Sequence, residues 1–109
     1  MTDDVLQRLA AVIRSRRGET AAGSYTKELI DAGAERCAKK LGEEATETVI
    51  AALGTEPRAL AREAADLLYH LLVLLECRQV PWPDVLAELQ SRMGTSGLVE
   101  KASRPRQGP

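Results

Sequence analysis

Aromatic residues are scarce in this chain: among 109 residues there are two Tyr, one Trp and no Phe. Extensive buried β-sheets usually draw on aromatic and β-branched side chains, so a sheet-based core is not expected. Ala, Leu, Glu, Arg and Lys are abundant instead. Because these are the best helix formers, the composition predicts an all-α protein. At this length we expect a single domain over residues 1–109, with no room for a second core.

Other signals are missing as well. The formal net charge is −1, which does not favour binding to nucleic acid or to a membrane surface. The longest strongly apolar run, residues 67–75, is too short to span a bilayer. The N-terminal segment opens with acidic residues and does not have the pattern of a signal peptide, so we expect a cytoplasmic protein. Cys37 and Cys77 lie in helical patterns and are interpreted as reduced core thiols.

Apolar periodicity and helix-boundary residues predict about five helices. In chain order, the predicted helices cover roughly residues 3–17, 24–33, 34–53, 56–78 and 84–93. Residues 1–23 then comprise an N-terminal helix and loop, and residues 94–109 form a polar, basic tail. Thr2 and Thr55 are the predicted N-caps of the first and fourth helices.

The second half of the fourth helix is apolar on nearly every side, with Leu or Val at each position from 71 to 75. A helix of this kind must be covered on nearly every side. One chain of this length supplies few other helices to cover it. We therefore expect the helical bundle to complete its core by dimerisation or by forming a higher homo-oligomer.

Acidic residues with the same spacing occur on the third and fourth helices. Glu44 and Glu47 follow Leu41 by three and six residues, and Glu63 and Asp66 follow Leu60 in the same way. At about 100° per residue, the acids lie roughly 60° and 120° to the same side of each leucine. If the two helices pack antiparallel, as their short connection suggests, the two acidic pairs can converge.

Carboxylates that converge need a positive charge or protons to offset their repulsion. Two carboxylates about 4 Å apart repel by roughly 4 kcal/mol at an effective dielectric constant near 20. Oxygen-only ligands suit Mg²⁺ or Mn²⁺ rather than zinc, and Mg²⁺ commonly shares its coordination shell with substrate phosphates. The pattern therefore indicates a metal site for a nucleotide polyphosphate. In the alternative interpretation the acids form a solvated face, and Lys40 pairs with Glu44 across one helical turn.

Several side chains near the acids have two interpretations. The candidates for binding substrate phosphate are five basic residues: Arg36, Lys39, Lys40, Lys101 and Arg104. Taken one at a time, each is more typical of ordinary surface charge. His70, one turn after Asp66, is more typical of a core histidine than of a contact to the site, and Trp82 is more typical of a wedge against the bundle than of a platform for a base.

Four segments resemble the phosphoribosyl-ATP pyrophosphatase family. They are SYTKEL (residues 24–29), KKLGEEATETVIAA (39–52), EAADLLYHLLVLL (63–75) and SGLVEKASR (96–104). The resemblance extends from about residue 24 to residue 104. The wider group of all-α nucleotide pyrophosphohydrolases has the signature Glu-x-x-Glu followed by Glu-x-x-Asp, and this chain matches it without departure.

The resemblance implies a magnesium-dependent helical dimer that converts phosphoribosyl-ATP to phosphoribosyl-AMP and pyrophosphate, the second step of histidine biosynthesis. It also implies that Glu43 can belong to the acidic site. The nearest alternative is a housekeeping pyrophosphohydrolase for ordinary nucleoside triphosphates, which would use the same acids. A non-catalytic helical dimerisation module is the alternative from another class. The SYTKEL and SGLVEKASR segments argue against the housekeeping enzyme, because the wider signature does not require them.

Overall fold

The structure is a computed structural model that describes residues 4–18 and 24–93. Its helices are α1 (Val5–Arg17), α2 (Tyr25–Ala32), α3 (Ala34–Ala52), α4 (Pro57–Cys77) and α5 (Trp82–Arg92). These two ranges contain no strand, so the predicted all-α fold class is confirmed. In the same ranges, no helix is both long and apolar enough to cross a membrane.

Local interactions set the helix boundaries. The Leu6 backbone N–H donates to Asp4 Oδ1 over 2.8 Å at the start of α1, and the Lys27 N–H donates to Ser24 Oγ over 3.2 Å at the start of α2. These are N-cap hydrogen bonds, which satisfy backbone donors that have no partner within the helix. Gly33 has a φ of 102°, a conformation that costs glycine little, and it joins α2 directly to α3.

Three predicted boundaries need correction. Asp4 is the N-cap of α1, whereas Thr2, the predicted cap, lies outside the described residues. Glu56 rather than Thr55 is the N-cap of α4, and its side chain makes no capping hydrogen bond. Helix α5 begins at Trp82, before the predicted residue 84. Pro83 lies in the first turn, where a backbone N–H would have no partner within the helix, so proline is tolerated there.

Helices α3 and α4 form an antiparallel hairpin, and theirs is the most extensive contact between any two helices in the described residues. The connection between them, residues 53–56, is short enough to hold them side by side. Both α1 and α2 pack on α4, and α2 also packs on α3. This arrangement leaves the acidic positions of α3 and α4 facing each other across the hairpin.

A small core lies where these helices meet. Its buried members are Ile13, Leu29, Ile30, Cys37, Leu72, Val73 and Trp82. Trp82 is only 6% exposed, which confirms its interpretation as a wedge against the bundle. The two cysteines are free thiols, as predicted, and the Cys37 thiol donates a hydrogen bond to the Leu29 carbonyl.

The apolar surface left uncovered differs from the one predicted. In the second half of α4, Leu72 and Val73 are buried and their neighbours are half-buried, so one chain covers this helix better than expected. A group of exposed apolar side chains lies instead at the end of α3, where Val49 is 61% exposed and Ile50 is 64% exposed. Leu53, just beyond α3, is 83% exposed. These three neighbouring side chains form an uncovered apolar patch.

The burial of Cys37 makes a prediction about its reactivity. Burial first, and then the neighbouring Cys77, raise the pKa of the Cys37 thiol from 9.0 to about 11. Because only the thiolate reacts, a shift of this size lowers the reactive fraction about a hundredfold. A Cys77→Ala variant removes the contribution of Cys77 and keeps the burial, which is the larger cause. In this variant iodoacetamide should modify Cys37 at least about tenfold more slowly in the native protein than in guanidinium. Similar rates in the two conditions would contradict the buried placement of Cys37.

Candidate metal centre

The antiparallel hairpin brings one acid of α3 against two acids of α4. One carboxylate oxygen from each of Glu44, Glu63 and Asp66 lies within 4.8 Å of the other two. We call these three residues the acidic cluster. Glu44 is buried, Glu63 is half-buried and Asp66 is exposed, so the cluster extends from the helix interface to the surface.

A threonine fixes how the two helices face each other at this point. The Thr48 hydroxyl lies 2.8 Å from the Glu44 carbonyl oxygen, one turn earlier in α3, and 3.2 Å from the Glu63 carbonyl oxygen in α4. One hydroxyl proton is thus shared between the backbones of two cluster residues. Thr48 was not identified as a site residue from the sequence. A hydroxyl one turn after an acid was the available signal.

Desolvation and the neighbouring acids make it harder for Glu63 to ionise. Its pKa is raised above the ordinary value, first by desolvation and then by the charge of Glu47 and a hydrogen bond with it. The charges of Asp66 and Glu44 raise the pKa further. Glu47 therefore lies beside Glu63, although it is exposed and is not one of the three residues of the cluster.

Two oxygen atoms of the cluster suit a cation. Glu44 Oε1 and Glu63 Oε1 are buried and have no hydrogen-bond partner among the described residues. Leaving such atoms unpaired is costly, and the cost is highest for charged groups. A hard divalent cation accepts carboxylate oxygens as ligands and offsets their repulsion. The donor set therefore fits a metal of the Mg²⁺ or Mn²⁺ class.

The predicted basic residues on α3 are not all close to the cluster. Lys40 lies 3.2 Å from Glu43, so its partner is Glu43 rather than Glu44, the partner considered from the sequence. At about 100° per residue, Lys40 lies roughly 40° from Glu44 around the helix, whereas Lys39 lies roughly 140° away. Arg36 and Lys39 are both exposed. The acid Glu43 is held by Lys40 and is also outside the cluster.

Two predicted phosphate-binding residues, Lys101 and Arg104, lie outside the described residues. The polar, basic tail over residues 94–109 to which they belong lies outside them as well. Their assignment remains a prediction from the sequence. Among the described candidates on α3, Lys40 is the one that lies on the same face as Glu44 and pairs with Glu43, the residue just before Glu44.

His70 is buried, as favoured from the sequence, but it also connects to the site. Its Nδ1 lies 2.9 Å from the Asp66 carbonyl oxygen, and its Nε2 lies 3.2 Å from the Tyr25 hydroxyl. Sequence reasoning did not identify Tyr25, because α2 lies far from α4 along the chain. A tyrosine at the start of the SYTKEL segment gave no local signal of its position.

The role of Thr48 can be tested by substitution. Thr48→Val keeps the volume of the side chain but removes its shared hydrogen bond, and we expect a loss of about 1 kcal/mol in the free energy of unfolding. Because the bond links two cluster residues, Mg²⁺ affinity should also fall roughly tenfold. Urea denaturation and Mg²⁺ titration would measure these quantities, with Thr48→Ser as the control that retains the hydroxyl. Wild-type Mg²⁺ affinity in Thr48→Val would remove the positioning role.

Several known proteins similar to this chain in sequence share one described activity. A family model described as phosphoribosyl-ATP pyrophosphohydrolase matches residues 6–93. A phosphoribosyl-ATP pyrophosphatase of Jannaschia sp. (strain CCS1) is 54% identical over 99 residues, covering 91% of this chain and 97% of that protein. Those of Geobacter metallireducens and Novosphingobium aromaticivorans are 48% and 52% identical, and each alignment covers at least 93% of this chain and 94% of the relative.

Proposed function

Because this chain belongs to the phosphoribosyl-ATP pyrophosphohydrolase family, and is thus a hydrolase, we propose that it converts phosphoribosyl-ATP to phosphoribosyl-AMP and pyrophosphate. The reaction is the second step of histidine biosynthesis. The observation that carries the proposal is the acidic cluster at the α3–α4 interface, in a chain that matches this family over most of its length. A cytoplasmic location follows as part of the same proposal.

The four acids have distinct proposed roles. Glu44, Glu63 and Asp66 would hold Mg²⁺, or Mn²⁺, through the oxygens that approach each other, with Glu47 at the edge of the same site. When bound, the ion supplies charge neutralisation at the phosphate oxygens. Glu43 is a reserve ligand, since releasing Lys40 would free its carboxylate.

The exposed position of Glu47 suits it to orient the attacking water. The Glu47 carboxylate can accept a proton from the water as the water oxygen forms its bond to the α-phosphorus. The bond from the α-phosphorus to the oxygen shared with the β-phosphate then breaks, and pyrophosphate leaves with that oxygen. Lys40 is the proposed contact to the triphosphate on α3, because an ammonium offsets charge on phosphate oxygens. Arg36, Lys39, Lys101 and Arg104 are proposed as outer contacts.

A homodimer completes the proposal. The uncovered apolar patch of Val49, Ile50 and Leu53 supports a helical core shared between two chains. Light scattering coupled to size exclusion should give the mass of a dimer. Replacing Val49 and Leu53 by Asp should shift the distribution toward monomer, because a charge at an apolar interface is costly. A wild-type monomer at all concentrations would remove the dimer from the proposal.

Pyrophosphate release tests the activity directly. We would compare phosphoribosyl-ATP with ATP and dATP, each with and without Mg²⁺. Release from phosphoribosyl-ATP alone, and only with Mg²⁺, is the expected result. Release from ATP and dATP instead would favour a housekeeping pyrophosphohydrolase with the same acidic site. No release from any of the three would favour a helical dimerisation module.

A further inference from the structure

The Tyr25–His70 pair is anchored to the backbone of the acidic cluster. The carbonyl oxygen of Asp66 can only accept a hydrogen bond, so the His70 Nδ1 at 2.9 Å must carry the hydrogen. In a neutral ring, Nε2 is then an acceptor. The Tyr25 hydroxyl, 3.2 Å from Nε2, therefore donates its only proton to His70. These polarities are assigned from the hydrogen-bond network of a neutral imidazole ring.

This orientation determines what Tyr25 can still bind. With its proton committed to His70, the phenol oxygen retains only lone pairs and acts as an acceptor. A phosphate oxygen offers no proton near neutral pH and would be repelled. A sugar hydroxyl can donate, and phosphoribosyl-ATP carries two ribose units. The pair is therefore suited to a ribose hydroxyl and unsuited to the triphosphate.

Tyr25 is partly exposed and lies close to the proposed site. Tyr25 is 46% exposed, whereas His70 beneath it is 6% exposed. The pKa of Lys40 is raised, first by its hydrogen bond with Glu43 and then by electrostatic interaction with Tyr25. Tyr25 is thus within electrostatic reach of the lysine proposed to contact phosphate, and through His70 it is tied to Asp66.

Packing of α2 on α4 does not depend on the Tyr25 hydroxyl alone. The neighbouring Tyr69 already links the two helices, because its hydroxyl pairs with Thr26 Oγ1 at 2.5 Å. The two tyrosine rings lie nearly parallel, with centroids 6.4 Å apart. Both tyrosine rings also lie against the His70 ring, with centroid distances of 6.0 Å for Tyr25 and 4.9 Å for Tyr69. Of the two hydroxyls, however, that of Tyr25 bonds to His70 and that of Tyr69 bonds to Thr26. Tyr69 is the matched control for Tyr25.

We propose that Tyr25 positions the substrate by accepting a hydrogen bond from one of its ribose hydroxyls, and that His70 holds the Tyr25 hydroxyl in the orientation this requires. The inference rests on the proposed function, since it assigns a contact for phosphoribosyl-ATP. It adds a contact to the ribose, whereas the other proposed contacts of the site are to the metal ion and the phosphates.

The test uses Tyr25→Phe and Tyr69→Phe in the full chain, after wild-type turnover of phosphoribosyl-ATP has been measured. Tyr25→Phe should raise KM about fivefold, the effect of one neutral hydrogen bond, with kcat and Mg²⁺ affinity within about twofold of wild type. Tyr69→Phe should leave KM unchanged. A wild-type KM in Tyr25→Phe, or an equal rise in both variants, would overturn the proposal. An inactive wild-type protein would instead contradict the proposed function.

A double-mutant cycle tests the part played by His70. The side chain of His70→Asn can still donate to the Asp66 carbonyl but is too short to reach the Tyr25 hydroxyl. It should raise KM about as much as Tyr25→Phe does, and by less than about twofold when added to Tyr25→Phe. Full additivity would show that His70 does not act through Tyr25. Thermal unfolding of each variant separates these effects from loss of the fold.

Discussion

Glu44→Gln is expected to lower turnover of phosphoribosyl-ATP at least about a hundredfold while leaving the helical fold intact. The amide keeps the shape of the carboxylate but loses its charge, and Glu44 is the buried member of the acidic cluster. Its Oε1 has no partner among the described residues, so removing the charge should leave the free energy of unfolding unchanged or slightly higher in metal-free protein. Pyrophosphate release and circular dichroism would measure the two effects.

Glu35→Gln is the matched control, because Glu35 is an exposed acid in the first turn of the same helix. It should retain wild-type turnover. Asp66→Asn should resemble Glu44→Gln, since it removes another carboxylate from the acidic cluster. Wild-type activity in either cluster variant would contradict the metal-site assignment, whatever the oligomeric state.

The second large effect concerns stability, pH and Mg²⁺. The pKa of Glu63 is raised above 4.5 by desolvation first and then by the neighbouring acids, so the folded chain binds this proton more tightly than the unfolded chain does. The stability contributed by the proton is fully present below pH 4.5 and is lost as the pH rises through the raised pKa. With a metal chelator present, the free energy of unfolding of the Glu63→Gln variant should lack this component of the pH dependence.

Added Mg²⁺ should reverse the loss at pH 7. A ligand present at about 100 times its Kd stabilises the folded state by roughly 2.7 kcal/mol, which for a domain of this size raises Tm by more than about 10 °C. Differential scanning calorimetry would show the shift in the wild type, and Glu44→Gln should show little of it. Equal shifts in both proteins would place Mg²⁺ binding elsewhere, and no shift in the wild type would contradict Mg²⁺ binding.

Much of the fold could be predicted because helices are governed by local periodicity. The bounds of α3 and α4 were predicted to within one or two residues from apolar spacing and from Gly and Pro at the connection. Boundary details were less predictable. Thr55 was wrong as the cap of α4, and α5 begins earlier than predicted, because several neighbouring residues could fill each boundary position.

The position of the acidic residues could likewise be predicted only in part. Their repeated spacing on two helices predicted that acids would face each other, because the helical period fixes each side chain around its own axis. That period places Glu44 nearer than Glu47 to Leu41 around α3, but it does not fix the rotation of α3 against α4. The structure buries Glu44 in the acidic cluster and leaves Glu47 exposed beside Glu63.

Composition, helical periodicity and the four matching segments were enough to predict the all-α class, the succession of helices and the family. The contacts of Thr48 with the backbones of two cluster residues, of Lys40 with Glu43 and of Tyr25 with His70 could be seen only in the folded chain. Helical periodicity is a local property of the chain. The rotation and register of one helix against another depend on side-chain packing between segments distant in the chain, and no local pattern encodes that packing.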